Sequence, residues 1–558
     1  MKNKVIAREF RLFSQLLEFH GENTFKIKAI SNAAQKLGKL PFHIASKTQE
    51  ELSNIPGIGK SSALKINEIL HEGGIKELND LLQQTPPGII PLLKIKGIGA
   101  KKVATVWKEL GIDTLGELWY ACKEDKISKL KGFGAKTQEE LKNILEFTIE
   151  NEGKFRYADV ELLAEDILSQ LKKDLKKDSL ISFTGSIRRY CEIVDCIDIL
   201  IAISKAELIE LINQSKLFIE IKEKEHSVEC IHQSGIKSNL YFCKEDEFYA
   251  CLIKTTGNEE HLKQLKVKLN SKLPDLKSEE AIYKCAGLSF IPPELREGSN
   301  EIELAANNKI PKLIEYNDFK GSLHNHSLWS DGVFSIEDMA LYCRDVLQLD
   351  YFGISDHSKT AVYANGLNIE RVLAQWQEID LLNKKLAPFR IFKGIESDIL
   401  SNGSLDYPDE ILDEFDFVVA SIHSQLSMDE KKATARLIKA IENPYTTILG
   451  HPTGRQLLIR RGYSIDYKKV IDACAANGVI IEINANPLRL DIDWRWIPYC
   501  LEKNVLISIN PDAHHTAELD YLKYGHLMAR KGGLTVDKCL NCFSLEHLEN
   551  WFRNRKPI

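Results

Sequence analysis

Residues 321–326 read Gly-Ser-Leu-His-Asn-His, a short strand-like run that ends in two metal-capable side chains, His324 and His326. Six further apolar runs follow, and nearly every one ends on His, Asp or Glu. The run ends are, in chain order, Asp356-His357, Glu396, His423, His451, Asn484-Ala485-Asn486 and Asp512-Ala513-His514. Helical patterns separate them, as at residues 336–346 and 369–386. Alternating strands and helices predict a parallel sheet, here a closed or nearly closed seven-stranded barrel.

The carboxyl ends of parallel barrel strands meet on one face. The pattern therefore brings nine candidate metal ligands to one mouth: His324, His326, Asp331, His357, Glu396, His423, His451, Asp512 and His514. Nitrogen and oxygen ligands in this number suit up to three ions, each with three or four protein ligands. A lone histidine at a strand end is usually a structural group, but a series of them predicts a metal centre. Manganese or zinc suits so histidine-rich a site.

Residues 319–525 resemble the PHP (polymerase and histidinol phosphatase) family, notably at Asn365-Gly-Leu, at residues 398–406, at His451-Pro-Thr-Gly-Arg455 and at Tyr524-Gly525. The resemblance implies phosphoester hydrolysis, in which bound ions activate water and neutralise phosphate oxygens. It assigns the ligands to a catalytic metal-water site of His324, His326, Glu396 and Asp512, a second ion on Glu396, His423 and His451, and a third on Asp331, His357 and His514. Ser322 departs from the family, which usually has Asp there, so we expect altered support for the ligands. Arg455 is a candidate either for an outlying phosphate or for a structural salt bridge.

The first third of the chain repeats a Gly-x-Gly pattern three times, at residues 55–63, 95–103 and 130–137. The paired glycines are Gly57 and Gly59, Gly97 and Gly99, and Gly132 and Gly134. Each pair lies between an apolar residue and a helix whose free N–H groups could hold a phosphate. This pattern resembles sequence-independent DNA-binding helix-hairpin-helix elements, and the alternative is a set of packing units without a ligand. Contacts of this kind fix the position of a strand but read no sequence.

Lys65 follows the first hairpin on the same predicted helix. This stretch resembles the lyase domain of family X DNA polymerases, and the resemblance places Lys65 at that family's Schiff-base lysine. A lysine amine can attack the aldehyde of an abasic sugar when its surroundings lower its pKa. The upstream residues 28–34 lack the Tyr-Arg often seen in the family, so a lysine that contacts phosphate is the alternative reading.

Residues 183–201 resemble the nucleotidyltransferase palm of family X DNA polymerases, and residues 290–297 resemble the end of that family's thumb. Ser186 and Arg189 would hold a nucleotide phosphate by this resemblance. The chemistry needs carboxylates on alternate strand residues and on a neighbouring strand, to hold two Mg²⁺ ions about 3.5–4 Å apart. Here the three positions hold Cys196, Asp198 and Asn239, so one residual carboxylate is left. Asp195 is one residue out of step, and only a β-bulge would turn it back. We expect no Mg²⁺ at this palm and no polymerase activity, since cysteine is a poor magnesium ligand.

The composition is that of a globular protein of several domains: 558 residues, 44% hydrophobic and 28% charged. The net charge is −6, but the first 150 residues carry more basic than acidic side chains, so this part of the chain suits a polyanionic partner.

Residues 1–18 are amphipathic and interrupted by charge, so they are neither a signal peptide nor a membrane span. Twelve mostly scattered cysteines fit a reducing cytoplasm, with Cys539 and Cys542 as unrelated thiols.

The whole chain resembles a bacterial family X DNA polymerase with a carboxyl-terminal PHP domain. We expect a multidomain protein: a helix-hairpin-helix lyase-like domain (1–85), a fingers-like domain with two further hairpins (86–152), an α+β palm (153–243), a thumb (244–315) and a (β/α)7 PHP barrel (316–558). The predicted function is a metal-dependent 3′→5′ exonuclease or 3′-end phosphoesterase of DNA repair. It would be a cytoplasmic, nucleoid-associated monomer that binds gapped or 3′-recessed DNA. The alternatives are an active gap-filling polymerase, a non-catalytic DNA-end-binding scaffold and a small-molecule phosphatase.

Overall fold

A computed structural model describes residues 3–40, 42–95, 97–269 and 273–555, with the backbone alone at Lys39. Met1 and Lys2 of the amino-terminal stretch and Lys96 of the second hairpin lie outside the described residues. The chain forms two compact units, Met1–Glu152 with Leu458–Arg460, and Gly153–Leu457 with Arg461–Ile558. The division into five domains stays a prediction. Among the described residues, no helix is both long enough and apolar enough to cross a membrane.

The amino-terminal unit is helical. Its helices are α1 (Asn3–His20), α2 (Thr24–Lys39), α3 (Gln49–Ser53), α4 (Lys60–Glu72), α5 (Lys76–Gln84), α6 (Ile89–Leu93), α7 (Ala100–Leu110), α8 (Leu115–Lys123) and α9 (Ala135–Glu150), with short 3-10 turns at Ile44–Ser46 and Ile127–Lys129. Apolar residues at helical spacing pack into a core of their own, in which Phe10 and Phe13 of α1 are fully buried. Gly59, Gly99 and Gly134 are the N-cap residues of α4, α7 and α9, as the hairpin pattern predicts.

The second unit begins with the palm and thumb regions. Its elements there are β1 (Phe155–Arg156), α10 (Tyr157–Asp174), β2 (Ile181–Phe183), α11 (Gly185–Arg188), β3 (Ile193–Val194), β4 (Ile197–Ile201), α12 (Lys205–Ser215), β5 (Phe218–Glu223), β6 (Ser227–His232), β7 (Lys237–Phe242), α13 (Phe248–Thr256), α14 (Glu259–Lys268), α15 (Glu279–Cys285) and α16 (Glu301–Ala306), with a 3-10 turn at Pro293–Leu295 between α15 and α16. The larger sheet has the strand order β2-β4-β7-β6-β5. Strands β4 and β7 pair in parallel, which sets Asp198 beside Asn239.

The barrel follows, with strands and helices alternating as the sequence predicts. Its elements are β8 (Gly321–Ser322), α17 (Ile336–Leu341), β9 (Tyr351–Ile354), α18 (Ile369–Leu386), β10 (Arg390–Asp398), α19 (Asp409–Leu412), β11 (Phe417–Ser421), α20 (Glu430–Ile441), β12 (Ile448–Leu449), α21 (Tyr467–Asn477), β13 (Ile480–Asn484), α22 (Ile497–Glu502), β14 (Ile507–Asn510), α23 (Leu522–Lys531) and α24 (Leu545–Arg555), with a π-helical turn at Tyr342–Val346 and 3-10 turns such as Val362–Ala364 and Leu540–Cys542. All seven strands are parallel, in the order β14-β13-β12-β11-β10-β9-β8. The (β/α)7 prediction is confirmed.

The barrel is nearly closed, and buried side chains complete the join between β8 and β14. Asn325 and Ala513, just beyond the two strands, form a parallel bridge. Deeper in the join the Asn541 side chain stands in for a strand. Its amide nitrogen donates to Gly321 O at 3.0 Å and to Ile509 O at 2.8 Å, and its oxygen accepts from Ile509 N at 2.6 Å. One fully buried asparagine thus satisfies backbone groups of both edge strands.

The described cysteines are all free thiols. Cys539 is buried and Cys542 is half-buried beside this join, and neither forms a disulfide. That they are unrelated thiols stays a prediction.

Asn541→Ala should destabilise the barrel, because it leaves Gly321 O, Ile509 N and Ile509 O buried without their partner. We expect a loss of about 3 kcal/mol in the free energy of unfolding, measured by urea denaturation. The matched control is Asn477→Ala on the last turn of α21, where the exposed amide only caps Ala473 O. The control should change stability by about 0.5 kcal/mol or less. Equal losses in both variants would contradict a closing role for Asn541.

Candidate active site

The carboxylate of Glu396, on β10, is the centre of the barrel mouth. It is fully buried, and five imidazole rings surround it. The distances from its oxygens are 2.9 Å to His357 Nδ1, 2.9 Å to His451 Nε2, 3.1 Å to His423 Nε2, 3.3 Å to His324 Nε2 and 3.7 Å to His326 Nε2. The strands bring these side chains together because Glu396 lies near the carboxyl end of β10, and each histidine lies just beyond the carboxyl end of another parallel strand.

The five rings form a closed circle around Glu396. Neighbouring ring centroids are 5.3 Å apart for His324–His326, 4.5 Å for His326–His357, 5.1 Å for His357–His423, 5.2 Å for His423–His451 and 5.9 Å for His451–His324. His514 stacks on His326 from outside at 4.1 Å. All nine candidate ligands are therefore in one cluster, whose remaining members are Asp331 and Asp512.

Three overlapping groups within the cluster have the ligand spacing of a metal site. They are His326, Asp331, His357 and His514; His324, His326 and Asp512; and His357, Glu396 and His423. The groups overlap with the ion assignment implied by the family resemblance, which stays a prediction. Glu396 is absent from the group of His324, His326 and Asp512, and His451 is absent from the group of His357, Glu396 and His423. His326 belongs to two groups rather than one, and His357 stands beside Glu396 and His423 as well as beside Asp331. His451 joins through its 2.9 Å contact to Glu396.

Burial and mutual attraction set the charges of these groups. Burial acts to lower the pKa of His423, but the carboxylates of Glu396 and Asp398 outweigh it and raise the pKa to about 10. Burial, together with the rings of His514 and His357, lowers the pKa of His326 to about 4. Burial raises the pKa of Glu396, yet the surrounding histidines hold it well below its ordinary value. Positive charge is thus favoured on His423, which has two carboxylate neighbours, and disfavoured on His326, which lies among other rings.

The donor set fits metal ions. His324 Nε2, His357 Nδ1 and Glu396 Oε2 are buried, face one another and have no well-aligned hydrogen-bond partner. Buried polar atoms are rarely left in this state unless an ion or another ligand satisfies them. A mixture of imidazole and carboxylate ligands suits zinc or manganese.

Two buried carboxylates that the sequence reasoning did not single out hold the rings in position. Glu482 Oε1 lies 2.7 Å from His324 Nδ1, and its second oxygen accepts from His451 N at 2.9 Å. Asp398 Oδ1 lies 2.5 Å from His423 Nδ1. A carboxylate behind a ligating histidine fixes the ring orientation and raises its basicity. The signal for Glu482 was an acid inside a buried strand, within the run Val-Ile-Ile-Glu-Ile.

Asp356 fixes the loop that carries Asp331. It accepts hydrogen bonds from the backbone and hydroxyl groups of Ser327 and Ser330, and from Gln375 Nε2 at 2.7 Å.

Ser322, which departs from the family pattern, is buried and hydrogen-bonded to Asn325. The support that the family would draw from an aspartate is here a hydroxyl–amide contact.

Arg455 does not face the cluster. It binds Asp493 Oδ2 at 2.5 Å and the carbonyl of Arg489 at 2.9 Å, so the salt-bridge alternative is the right one. Arg489 lies at the cluster instead, with Nε 3.5 Å from Asp512 Oδ2. Arg455 therefore anchors the loop that presents Arg489. No spacing along the chain distinguishes these two arginines.

Two of the ligands have positive backbone φ, His451 at +23° and Asp512 at +54°. Such backbone is costly for residues other than glycine, and it is concentrated at functional sites. Asp512 N donates to His324 O at 3.1 Å, which couples this turn to the first strand end.

The palm carboxylate, Asp198, is surrounded by hydrogen-bond donors. Asn239 Nδ2 lies 2.9 Å away and Cys196 Sγ 3.3 Å away. Cys196 lies in the bend directly before β4, and its thiol still faces Asp198 and Asn239, whose Nδ2 is 3.3 Å away; Asp195 is exposed in the same bend. Burial raises the pKa of Asp198. Gly185, with φ +63°, packs so close that a Cβ there would meet Asp198 Oδ2 at 2.0 Å.

Arg189 is engaged with protein groups rather than open to a nucleotide phosphate. Its Nε binds Glu297 Oε1 at 3.0 Å and Nη1 binds Thr256 O at 2.6 Å. Lys531 of the barrel region binds the same Glu297 oxygen at 2.5 Å. Ser186 Oγ is buried without a hydrogen-bond partner. The structure thus brings Arg189 into an ion cluster and leaves Ser186 beside the Gly185 turn.

The three hairpins share one backbone geometry. Gly57, Gly97 and Gly132 have φ of +92°, +96° and +88°, the left-handed region that the turn needs. The second glycine of each pair caps the following helix without a side chain. A Cβ at Gly59, Gly99 or Gly134 would meet no atom within 4 Å, so space remains at each helix start.

Lys65 forms an ion pair with Glu77 at 3.0 Å and lies over the Phe13 ring. Glu77 also pairs with Lys26. Schiff-base formation needs a neutral amine, so this ion pair would have to open before Lys65 could attack a sugar aldehyde.

Hairpins, a palm-like sheet and a PHP-type barrel define the class of family X DNA polymerases with a PHP domain. Residues 1–75 match the family model of a helix-hairpin-helix domain, and residues 89–146 match that of a SAM-like helix-hairpin-helix tandem. The DNA polymerase/3′-5′ exonuclease PolX of Bacillus subtilis (strain 168) is 34% identical over 577 aligned positions, which cover 99% of this chain and 100% of that protein. The chain belongs to the PolX family.

The carboxyl-terminal part also has relatives of its own. A probable phosphatase of Acetivibrio thermocellus is 30% identical over 246 positions, 42% of this chain and 95% of that protein. A probable phosphatase of Thermoanaerobacter sp. (strain X514) is 31% identical over 173 positions, 29% of this chain and 68% of that protein.

Asp398→Asn should weaken metal binding, because the amide no longer supplies the negative charge that orients His423. We expect about tenfold lower Mn²⁺ affinity, measured by competition with a chelating indicator. Asp472→Asn, which changes an exposed aspartate bonded to Tyr499, is the matched control. Unchanged affinity in Asp398→Asn would contradict the supporting role.

Proposed function

We propose that the chain is a metal-dependent 3′→5′ exonuclease or 3′-end phosphoesterase acting on DNA, with the barrel as its catalyst. The observation that carries the proposal is the cluster of nine candidate ligand side chains that is centred on buried Glu396. The name of the Bacillus subtilis relative, a DNA polymerase/3′-5′ exonuclease, supports the same reaction.

The cluster would hold up to three ions, most suitably manganese or zinc. His324, His326, Glu396 and Asp512 would hold one, Glu396, His423 and His451 a second, and Asp331, His357 and His514 a third. Bound ions would supply an activated water and positive charge at the phosphate oxygens.

The protein's own groups would orient this chemistry. Glu482 and Asp398 fix the rings of His324 and His423, so the ligands are held before substrate arrives. Arg489, beside Asp512, would offer a fixed positive charge to a phosphate oxygen. The buried floor of the mouth keeps these charges away from bulk water, which strengthens their effect.

The hairpins would hold the substrate backbone. In each hairpin the helix starts at a glycine, which has no capping side chain, and open space remains there. This arrangement can bind a phosphate without reading sequence. The proposed substrate is gapped or 3′-recessed DNA. The protein would act on it as a monomer, in the cytoplasm at the nucleoid, during DNA repair. A small-molecule phosphatase would gain nothing from the hairpins, although relatives of the barrel alone are named probable phosphatases.

The palm would serve as a scaffold or a grip on DNA rather than as a polymerase. The donors Asn239 and Cys196 already satisfy Asp198, and neither suits Mg²⁺. Arg189, which would hold the triphosphate in the family, is paired with Glu297.

His324→Ala should abolish release of nucleotides from gapped and 3′-recessed DNA in Mn²⁺, because it removes a ligand from the catalytic centre. Asp198→Ala should leave this rate within about twofold of wild type. End-labelled substrates resolved on denaturing gels give both rates.

Three results would contradict this proposal. Loss of nuclease activity in Asp198→Ala but not in His324→Ala would move the catalyst to the palm. Robust primer extension by the wild type would establish an active polymerase, and absence of both metal and hydrolysis in the purified protein would favour a scaffold.

Gly59→Asp should weaken DNA binding while preserving the fold. Asp is a good N-cap residue and fits the φ of −79° at this position, but its charge would repel a phosphate at the helix start. Gly59→Asn, of the same shape without the charge, is the matched control. We expect several-fold weaker binding for Asp than for Asn by fluorescence anisotropy at low salt. Equal affinities would mean that no phosphate approaches this helix.

A further inference from the structure

The rim of the barrel mouth carries an aromatic ring that neither the metal cluster nor the barrel core uses. Tyr363 lies on the 3-10 turn Val362–Ala364 and is 71% exposed. The next most exposed aromatic residue among the described barrel residues is Tyr316, at 37%. Val362, beside Tyr363, is 81% exposed. An apolar surface of this kind at the edge of a site is typical of ligand contact.

The Tyr363 ring adjoins the ligand cluster. Its centroid is 6.2 Å from that of His357, with the two rings tilted by 58°. The segment that carries it starts from the same strand end as His357 and returns to it, since Leu367 N donates to His357 O at 2.8 Å. A group bound at the cluster would therefore have Tyr363 as its neighbour on this side.

The turn is anchored at both ends, so its exposure is not fraying. Thr360 binds Asp406 Oδ2 through its backbone N–H at 2.7 Å and Asp398 Oδ2 through its hydroxyl at 3.0 Å. Asn365, with φ +55°, donates to the carbonyls of Trp329 and Ser330. Because the turn that carries the exposed ring is rigid, less conformational entropy would be lost when Tyr363 binds a ligand.

We propose that Tyr363 stacks on the base of the 3′-terminal nucleotide and so sets the preference of the barrel for an unpaired DNA end. The inference rests on the proposed phosphoesterase function. A phosphodiester at the cluster has a sugar and base attached on each side, and a base offers a π-face whatever its identity. Stacking on an aromatic side chain is worth about 1–3 kcal/mol per base and tolerates any sequence. A base still paired in a duplex could not turn its face to Tyr363, so the terminal base of a gapped or 3′-recessed end must first separate from its partner.

The test compares two single-stranded oligonucleotides of one sequence, of which one ends in a normal 3′ nucleotide and the other in a 3′ tetrahydrofuran residue that has no base. The measurement is kcat/KM for release of the terminal residue in Mn²⁺. For the wild type we expect the base-free end to react about tenfold more slowly, within the range that stacking supports.

Tyr363→Ala should lower kcat/KM about tenfold on the normal end and leave the base-free end unchanged, so that the selectivity disappears. Tyr363→Phe keeps the ring and should retain the selectivity. Leu381→Ala, which changes a 66% exposed residue on α18, is the surface control and should retain it as well.

Equal slowing of both substrates by Tyr363→Ala would show a structural role for the turn and overturn the proposal, as would no slowing of either. Hydrolysis of both ends at the same rate by the wild type would overturn the proposal but leave the proposed phosphoesterase function intact. Hydrolysis of neither by the wild type would overturn both.

Discussion

A carboxylate buried among five imidazole rings is the constraint on which the barrel depends. An ionised Glu396 with no exposed surface would be very costly without compensating charge, so the strands must bring positive or metal-bound groups to it together. No short segment can do this, because His324, His423 and His451 come from strands far apart in sequence. The parallel barrel solves the problem by collecting all its carboxyl ends on one face. Its closure through Asn541 then fixes the distance between the first and last ligands.

The support around the cluster explains how such a crowded site stays ordered. Glu482, Asp398 and Asp356 each satisfy a ring or a loop that carries a ligand, and each is itself buried. Fully satisfied buried polar networks specify one arrangement, whereas partly satisfied ones do not. Within the cluster, His324 Nε2, His357 Nδ1 and Glu396 Oε2 are left without a well-aligned partner. The proposed metal-dependent hydrolase needs both features: supporting residues that are held in place and donor atoms at the centre that are free to bind an ion.

The palm and thumb show what becomes of the polymerase-like residues of this chain. Lys531, fully buried at the end of α23, reaches the carbonyl of Arg189 at 2.9 Å and lies over the Trp494 ring. Glu297 joins Lys531 and Arg189 in one ion cluster. A side chain that would meet a nucleotide in the wider family thus connects the palm to the barrel. Glu192 strengthens the same junction through Arg495 at 2.7 Å.

Local patterns along the chain predict the seven strands, α18 at Ile369–Leu386, the hairpin turns and the nine clustered side chains. These features depend on local periodicity, on glycine conformation and on the rule that parallel strands end together. Long-range packing decides which rings share a neighbour, and it brings Arg489 rather than Arg455 to the cluster. It also decides that Cys196 lies in a bend and that Arg189 is paired. These outcomes depend on strand register and on loops that return from far along the chain, and no local pattern of residues encodes such distances.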